Sequence, residues 1–287
     1  MSTTIEKAHT LSEALPYIRR YHGKTMVVKY GGGAMKSDEL CRQVIADVVL
    51  LSLVGIRVVV VHGGGPEINE LLGKIGKEPR FINGLRYTDE ETMEAVQMVL
   101  CGRIGKSLAQ LIGDHGGKAL SLSGADGRML VAKKLAVDED LGFVGELTEV
   151  NPEPINIALT GGYIPVISTV ACGEEPGVMY NINADSAAAR LAVAVGAEKL
   201  ILLTDVRGIL RDPKDETTLI PEVSLAQVDV LKKTGIITGG MIPKVECCAE
   251  VVKNGVPRAH ILDGRVPHSI LIELLSDQGI GTMICGR

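Results

Sequence analysis

Hydrophobic positions along this chain change period several times, and each change predicts an element. Leu11, Leu15 and Ile18 recur at helical spacing, and Thr10-Leu11-Ser12-Glu13 has the spacing of a capping box. A short helix over residues 10–21 is expected, kinked at Pro16. From Gly23 the period becomes strand-like: "TMVVKY" reads as a buried strand, Gly31 to Gly33 as a turn, and residues 39–54 as a very apolar helix. The next unit repeats this plan, since "IRVVVVHGGGPEINELL" is a continuous apolar run, three glycines, and a helix with Pro66 in its first turn. Asn83-Gly84 in "RFINGLRYT" signals a hairpin, and a long helix follows over residues 89–114. Three strand-like runs then form a β-rich insertion: "KALSLSG", "GRMLVAKKL" and "GFVGELTEV". The helix–strand rhythm returns with "YIPVIST", the helix "NADSAAARLAVAVG" and the strand "KLILLTD". A loop through Asp212-Pro213, helices near residues 224–233 and 241–254, the strand "RAHILDG", a helix from Pro267 and a final strand "GTMIC" close the chain. Strands alternating with helices predict an α/β fold, a mainly parallel open sheet sandwiched between helices, with ligands at the carboxyl ends of its strands.

Composition narrows the partners. At 287 residues and 46% hydrophobic, the chain can bury a large core as one unit or two lobes. A formal charge of −5, no Trp and only two Phe argue against a nucleic-acid binder, which needs basic surface and stacking rings. Cys41, Cys101, Cys172, Cys247, Cys248 and Cys285 have no C-x-x-C spacing and read as thiols of a reducing, cytoplasmic compartment. No apolar run is long enough to span a membrane, and the amino terminus lacks the pattern of a signal peptide.

The chemistry starts with one charge in the wrong place. Lys29 ends an apolar strand and is followed by glycines, so an ammonium is delivered beside exposed backbone N–H groups, a setting for phosphate or carboxylate. A second lysine, Lys244, follows Gly239-Gly240 in the first turns of a helix, where it opposes the helix dipole unless an anion is there. Asp185 begins another helix and is either an N-cap or an acidic organiser of the two lysines. Two lysines, two glycine turns and one carboxylate suit phosphoryl transfer, which needs positioning and charge neutralisation without a covalent nucleophile. "GRIGKS", residues 102–107, imitates a phosphate loop, but G-x-x-x-x-G-K-[ST] would need glycine where Leu100 stands, and the segment lies in a helical pattern. Neither triple glycine fits the dinucleotide fingerprint, whose last glycine would fall on Lys36 or Ile68.

Taken in order, "VVKYGG", "VVVVHGGGPEI", "NGLRYT", "NINAD", "LLTDVRGIL" and "GIITGGMIPKV" resemble the amino acid kinase family, and within it the kinases that phosphorylate N-acetyl-L-glutamate. The resemblance covers nearly the whole chain. It implies the amino acid kinase fold, with an oligomerisation extension at residues 1–22, an acyl-amino-acid lobe at 23–177 and a nucleotide lobe at 178–287. It implies ATP with Mg²⁺ as the phosphoryl donor and the side-chain carboxylate of N-acetyl-L-glutamate as acceptor, in arginine biosynthesis. Lys29 and Lys244 then meet the phosphoryl group from its two sides, and Asp185 holds both lysines. Gly64, Gly65, Arg86 and Asn181 hold the amino-acid substrate. The nucleotide is met by Gly31, Gly32, Thr204, Asp205, Val206, Arg207, Gly208, Ile209 and Leu210, and by Ile236, Ile237 and Thr238. The resemblance further implies homodimers joined into a hexamer, and inhibition by free arginine bound near Tyr17, His260, Glu273 and Gly279. Two rivals stay open: a kinase of the same fold for acetylaminoadipate, and a non-catalytic arginine sensor, against which the retention of both lysines and Asp185 counts.

Overall fold

The computed structural model describes residues 4–31, 37–277 and 279–286. In chain order its elements are α1 (Thr4–Tyr21), β1 (Thr25–Tyr30), α2 (Asp38–Leu53), β2 (Arg57–His62), α3 (Gly65–Lys74), the hairpin β3 (Phe81–Ile82) and β4 (Leu85–Arg86), and α4 (Glu90–Gln97). A π-helical stretch, Met98–Ile104, runs on into α5 (Gly105–Asp114). Then come β5 (Ala119–Ser123), β6 (Leu130–Lys134), β7 (Gly145–Val150), α6 (Glu153–Thr160), β8 (Ile164–Ser168), β9 (Val170–Gly173) and β10 (Met179–Asn181). The carboxyl half adds α7 (Ala184–Ala194), β11 (Lys199–Thr204), β12 (Glu222–Ser224), α8 (Leu225–Lys233), α9 (Met241–Lys253), β13 (Arg258–Asp263), α10 (Ser269–Leu275) and β14 (Thr282–Cys285).

One eight-stranded sheet, in the order β12-β14-β13-β11-β1-β2-β8-β5, runs through both halves of the chain. Its pairs are parallel except β13 with β14. The β-rich insertion forms a separate four-stranded sheet, β10-β9-β6-β7. Because side chains alternate along a strand, each face of the large sheet has its own core. Val27, Val59, Val61, Leu200 and Leu202 pack with Ala187, Ala188 and Leu191 of α7 and Val245 and Cys248 of α9. Met26, Val28, Tyr30, Val58 and Val60 pack on the other face with α2 and the long helix. Lys29 has the parity of Val27 and is paired with Val61 and Leu202, so the strand itself sends it to the α7 face.

Two expectations change. The first helix spans Thr4–Tyr21, so Thr10 lies inside it and is not its cap; Ser12 instead donates back to the Ala8 carbonyl. The helix is assigned unbroken through Pro16, and its apolar residues Ile5, Leu11 and Leu15 stay exposed. The Gly-Lys-Ser decoy lies within the continuous helical run, as its spacing implied. Asn83 and Gly84 both take positive φ, 50° and 82°, at the hairpin turn that brings Arg86 inward.

The arm carrying this hairpin is anchored by Lys77, whose Nζ lies 2.7 Å from both Asp89 and Glu91. Asp89 also caps α4 by accepting from the Thr92 N–H at 2.9 Å. Asp89→Ala is expected to lower stability by about 1–2 kcal/mol, the range for a lost cap, with the exposed ion pair adding little. Thermal unfolding of Asp89→Ala, Asp89→Asn and Lys77→Met checks this: the Ala variant should melt lowest and Asn should recover most of the loss.

Candidate active site

The glycine turn at residues 63–65 lies at the carboxyl edge of the large sheet, where β2 ends and α3 begins, and Gly239-Gly240 leads into α9. At the centre of this edge Asp185 pairs with two ammoniums: Lys29 Nζ lies 2.9 Å from Oδ1, and Lys244 Nζ donates to Oδ2 at 2.7 Å. Asp185 does not cap α7. Asn183 does, its side-chain oxygen accepting from the N–H groups of Asp185 and Ser186, which leaves the Asp185 carboxylate free for the lysines. Cys247 donates its thiol to the Asp185 carbonyl at 3.1 Å and ties α9 to α7. Burial acts to raise the Asp185 pKa, but the fields and hydrogen bonds of Lys29 and Lys244 outweigh it and hold the carboxyl below its ordinary value.

Lys244 stands between two cavities. One, of about 520 Å³, is lined by Leu85, Val144, Leu147, Ile182, Asp185 and Lys244 among others. The second, of about 360 Å³, is lined by Thr204, Asp205, Val206, Gly208, Ile209 and Leu210, by Ile236 and Thr238, and by Pro213, Gly240, Met241 and Lys244. Most of the residues expected at the nucleotide therefore share one wall. Among the described residues three do not: Gly31, Ile237, which is buried in the core beside α9, and Arg207, which turns to Glu216 at 3.3 Å. Gly208, at φ +146°, lies so close to Thr282 that a Cβ would come within 2.5 Å of its Oγ1. That hydroxyl accepts from the Ile209 N–H and donates to the Ile220 carbonyl, which fastens the loop to β14. Gly31 is buried, and a Cβ there would sit 3.1 Å from Lys29 Nζ; Gly32 lies outside the described residues.

The second glycine turn opens α3. Gly64 is its N-cap, and a Cβ on it would meet Ile104 Cδ1 at 2.3 Å and Leu100 Cδ2 at 2.7 Å, so the π-helical stretch packs directly under bare backbone. Arg86 donates through Nη2 to the Gly65 carbonyl at 3.0 Å and lies 4.8 Å from the centre of the Phe81 ring. Its Nη1 is buried and without a partner among the described residues, an expensive state that a carboxylate ligand relieves. Burial pulls the guanidinium pKa down. Asn181 Nδ2 donates to Thr88 Oγ1 at 3.3 Å, and Thr88 donates to the Arg86 carbonyl at 3.0 Å, so Asn181 and Arg86 are joined through Thr88. Gly64, Gly65, Arg86 and Asn181 do not themselves line the larger cavity; its wall takes Leu85 and Ile182, the chain neighbours of Arg86 and Asn181.

The four residues expected around arginine form two contacts. His260 Nδ1 lies 2.8 Å from Glu273, whose other oxygen accepts from the Ile280 N–H and faces Gly279. Tyr17 of α1 donates to Asp277, just past α10. Among the described residues no three His, Cys, Asp or Glu side chains converge as a metal-holding group.

The family profile described as "Amino acid kinase family" matches residues 24–263. The chain belongs to the amino acid kinase family. A family relative, an acetylglutamate kinase of Clostridium beijerinckii, is 57% identical over 279 residues, 97% of this chain and 98% of the relative. A solved N-acetylglutamate synthase from Neisseria gonorrhoeae, complexed with coenzyme A and N-acetyl-glutamate, superposes with a TM-score of 0.86 at 27% identity. This chain is covered entirely and spans 64% of that one. The same synthase complexed with coenzyme A and L-arginine gives a TM-score of 0.81 at 26% identity, covering all of this chain and 66% of that one.

Sequence reasoning did not single out Asn183, Thr88 or Thr282, which act on other residues of the site. A helix cap signal was present for Asn183 in "NINAD", whereas Thr88 and Thr282 matter only through distant neighbours. Because the folded Asp185 pKa lies below the ordinary 3.8, its ion pairs stabilise the fold fully above that value and lose their effect as pH falls through the folded value. Asp185→Asn leaves two ammoniums together, so a loss on the order of 3 kcal/mol is expected at neutral pH. Melting curves of parent and variant should converge in acid; a gap that stayed constant with pH would contradict the ion-pair account.

Proposed function

We propose that this enzyme transfers the γ-phosphoryl group of ATP to the side-chain carboxylate of N-acetyl-L-glutamate, forming an acyl phosphate for arginine biosynthesis. The observation that carries the reading is the pair of lysines held on one carboxylate between two cavities. The high identity to acetylglutamate kinases supports the choice of acceptor. Nucleotide in the smaller cavity puts its phosphates toward Lys244, while the acceptor's other carboxylate suits the unpaired Nη1 of Arg86. A side-chain carboxylate oxygen attacks the γ-phosphorus from the Lys29 side as the bond to the bridging oxygen of ADP breaks. Lys29 and Lys244 neutralise the charge spread over the transferring oxygens, and Gly64 and the first N–H groups of α3 stabilise it from the sheet edge. Asp185 has both oxygens on lysines and stays ionised, which fits it to orient them rather than to take a proton. Mg²⁺ bound with ATP would supply further neutralisation of the nucleotide phosphates, and Asp185, with both oxygens facing lysines, would not be its ligand.

Lys29→Ala and Lys244→Ala should each lower kcat on the order of 10²–10³-fold with modest change in KM. Arg86→Ala should raise KM for the acetylated amino acid and leave that for ATP nearly unchanged. Coupled assays of ADP release with N-acetylglutamate, acetylaminoadipate, glutamate and aspartate test both the roles and the acceptor; no turnover with any acylated acceptor would overturn the reading.

Free arginine is the regulator in this reading, and dimers are joined into a hexamer through α1. The exposed Ile5, Leu11 and Leu15 support a helix that packs on another copy, and the contact of Tyr17 with Asp277 links that helix to the carboxyl half. Glu273, with Gly279 beside it, offers a carboxylate to a guanidinium. The solved synthase complexed with L-arginine shares the fold and supports this choice of effector. Deleting residues 1–22 should leave an active, smaller oligomer with weak arginine sensitivity, read by light scattering and by inhibition curves. A truncated protein that stayed hexameric and fully inhibited would refute it.

A further inference from the structure

His62 is the last residue of β2 and is completely buried, yet nothing in the reaction above uses it. Its Nδ1 lies 3.0 Å from the carbonyl oxygen of Gly63. A carbonyl can only accept, so Nδ1 carries the proton and donates. Burial pushes the His62 pKa down to about 4, so the ring is neutral and its tautomer constant at neutral pH.

The direction of this bond matters because of sheet parity. Tyr30 pairs with His62 and Lys29 with Val61, so His62 lies on the face opposite to Lys29 and Asp185. The peptide between Gly63 and Gly64 is planar and trans, so its C=O and N–H point in opposite directions. A carbonyl drawn down to His62 therefore turns the Gly64 N–H up, toward the face of Lys29. Glycine on both sides of this peptide offers almost no steric resistance to a flip. The neighbouring groups are already fixed: the Gly63 N–H donates to the Tyr30 carbonyl at 3.3 Å, and the Gly64 carbonyl accepts from Ile68 at 2.9 Å. Gly105 of α5 packs against the ring, where a Cβ would touch His62 Nε2 at 3.5 Å, an ordinary contact.

We propose that His62 is a positioning residue that locks the Gly63–Gly64 peptide with its N–H directed at the transferring phosphoryl group. The locked donor is ready before substrate arrives, which removes the need to reorient a flexible glycine peptide during the reaction. The inference rests on the phosphoryl-transfer reading for what the N–H meets, but the peptide orientation is measurable without it.

Nitrogen NMR of the parent protein labelled at histidine gives that measurement: His62 should show the Nδ1–H tautomer, unchanged between about pH 5 and 8. An Nε2–H tautomer overturns the proposal, whether or not any variant folds. His62→Leu should lower kcat on the order of 10²-fold, the effect of an angstrom-scale misplacement, with KM for ATP unchanged. His62→Asn, whose side-chain N–H falls near the place of Nδ1–H, should recover most of that rate, whereas His62→Gln should not. Equal kcat in the Leu and Asn variants, or a loss confined to melting temperature, also overturns it. Failure of the phosphoryl-transfer reading would show separately, as a parent protein with the expected tautomer and no turnover of ATP.

Discussion

A carboxylate shared by two ammoniums, nearly out of water, is the constraint on which the rest of the structure depends. Each of the three charges is costly to bury alone, and removing any one strands the others. Lys29 comes from β1, Asp185 from the first turn of α7 and Lys244 from the first turn of α9, so the ion pairs exist only when strand and both helices are in register. β1 lies between β2 and β11, which fixes the height of Lys29, and the small side chains Ala187 and Ala188 let α7 pack closely on the same sheet face. Stability and chemistry are therefore coupled in one cluster. The arrangement resists collapse to a neutral state because the lysines keep Asp185 ionised.

Around that cluster the two faces of the sheet divide the work. The α7 face carries the charges. The opposite face carries His62, Gly105 and the π-helical side chains Leu100 and Ile104, which pack beneath the glycine turn and leave no space for a side chain on Gly64. A π-helical stretch is uncommon, and here it brings two bulky side chains to one glycine. Bare backbone is thus held from below. The loop after β11 is handled differently, through Thr282, a buried hydroxyl of β14 that bonds Ile209 and Ile220.

Parts of the site are legible in the sequence because they depend on local chemistry. Gly239-Gly240 before Lys244 and Asn83-Gly84 before Arg86 each state a local backbone requirement that the structure meets, and Lys29 lies at the end of its strand as expected, although Gly32 and Gly33 after it lie outside the described residues. The first helix shows the reverse. Thr10 to Glu13 has a cap's spacing, but residues before it continue the helix, so the local signal is overridden by upstream sequence. Arg207 and Ile237 carry the same lesson for motifs, since adjacent positions in one motif divide between cavity wall, solvent and core.

By itself the sequence determined the alternation of strand and helix, the glycine turns, the residues that bear charge and the family to which the chain belongs. These follow from the period of apolar side chains and from residue types whose backbone or charge preferences act within a few positions. Only the tertiary structure decided that Asp185 organises lysines while Asn183 takes the cap, that Arg86 keeps one buried nitrogen unpaired, and that His62 reaches the Gly63 carbonyl from the opposite sheet face. Each of those depends on the parity of a strand or on helices meeting across the sheet. The Asp185 ion pairs and the setting of Arg86 join residues far apart in the chain, and even the adjacent His62 and Gly63 take their geometry from the packed sheet face, so no local pattern encodes them.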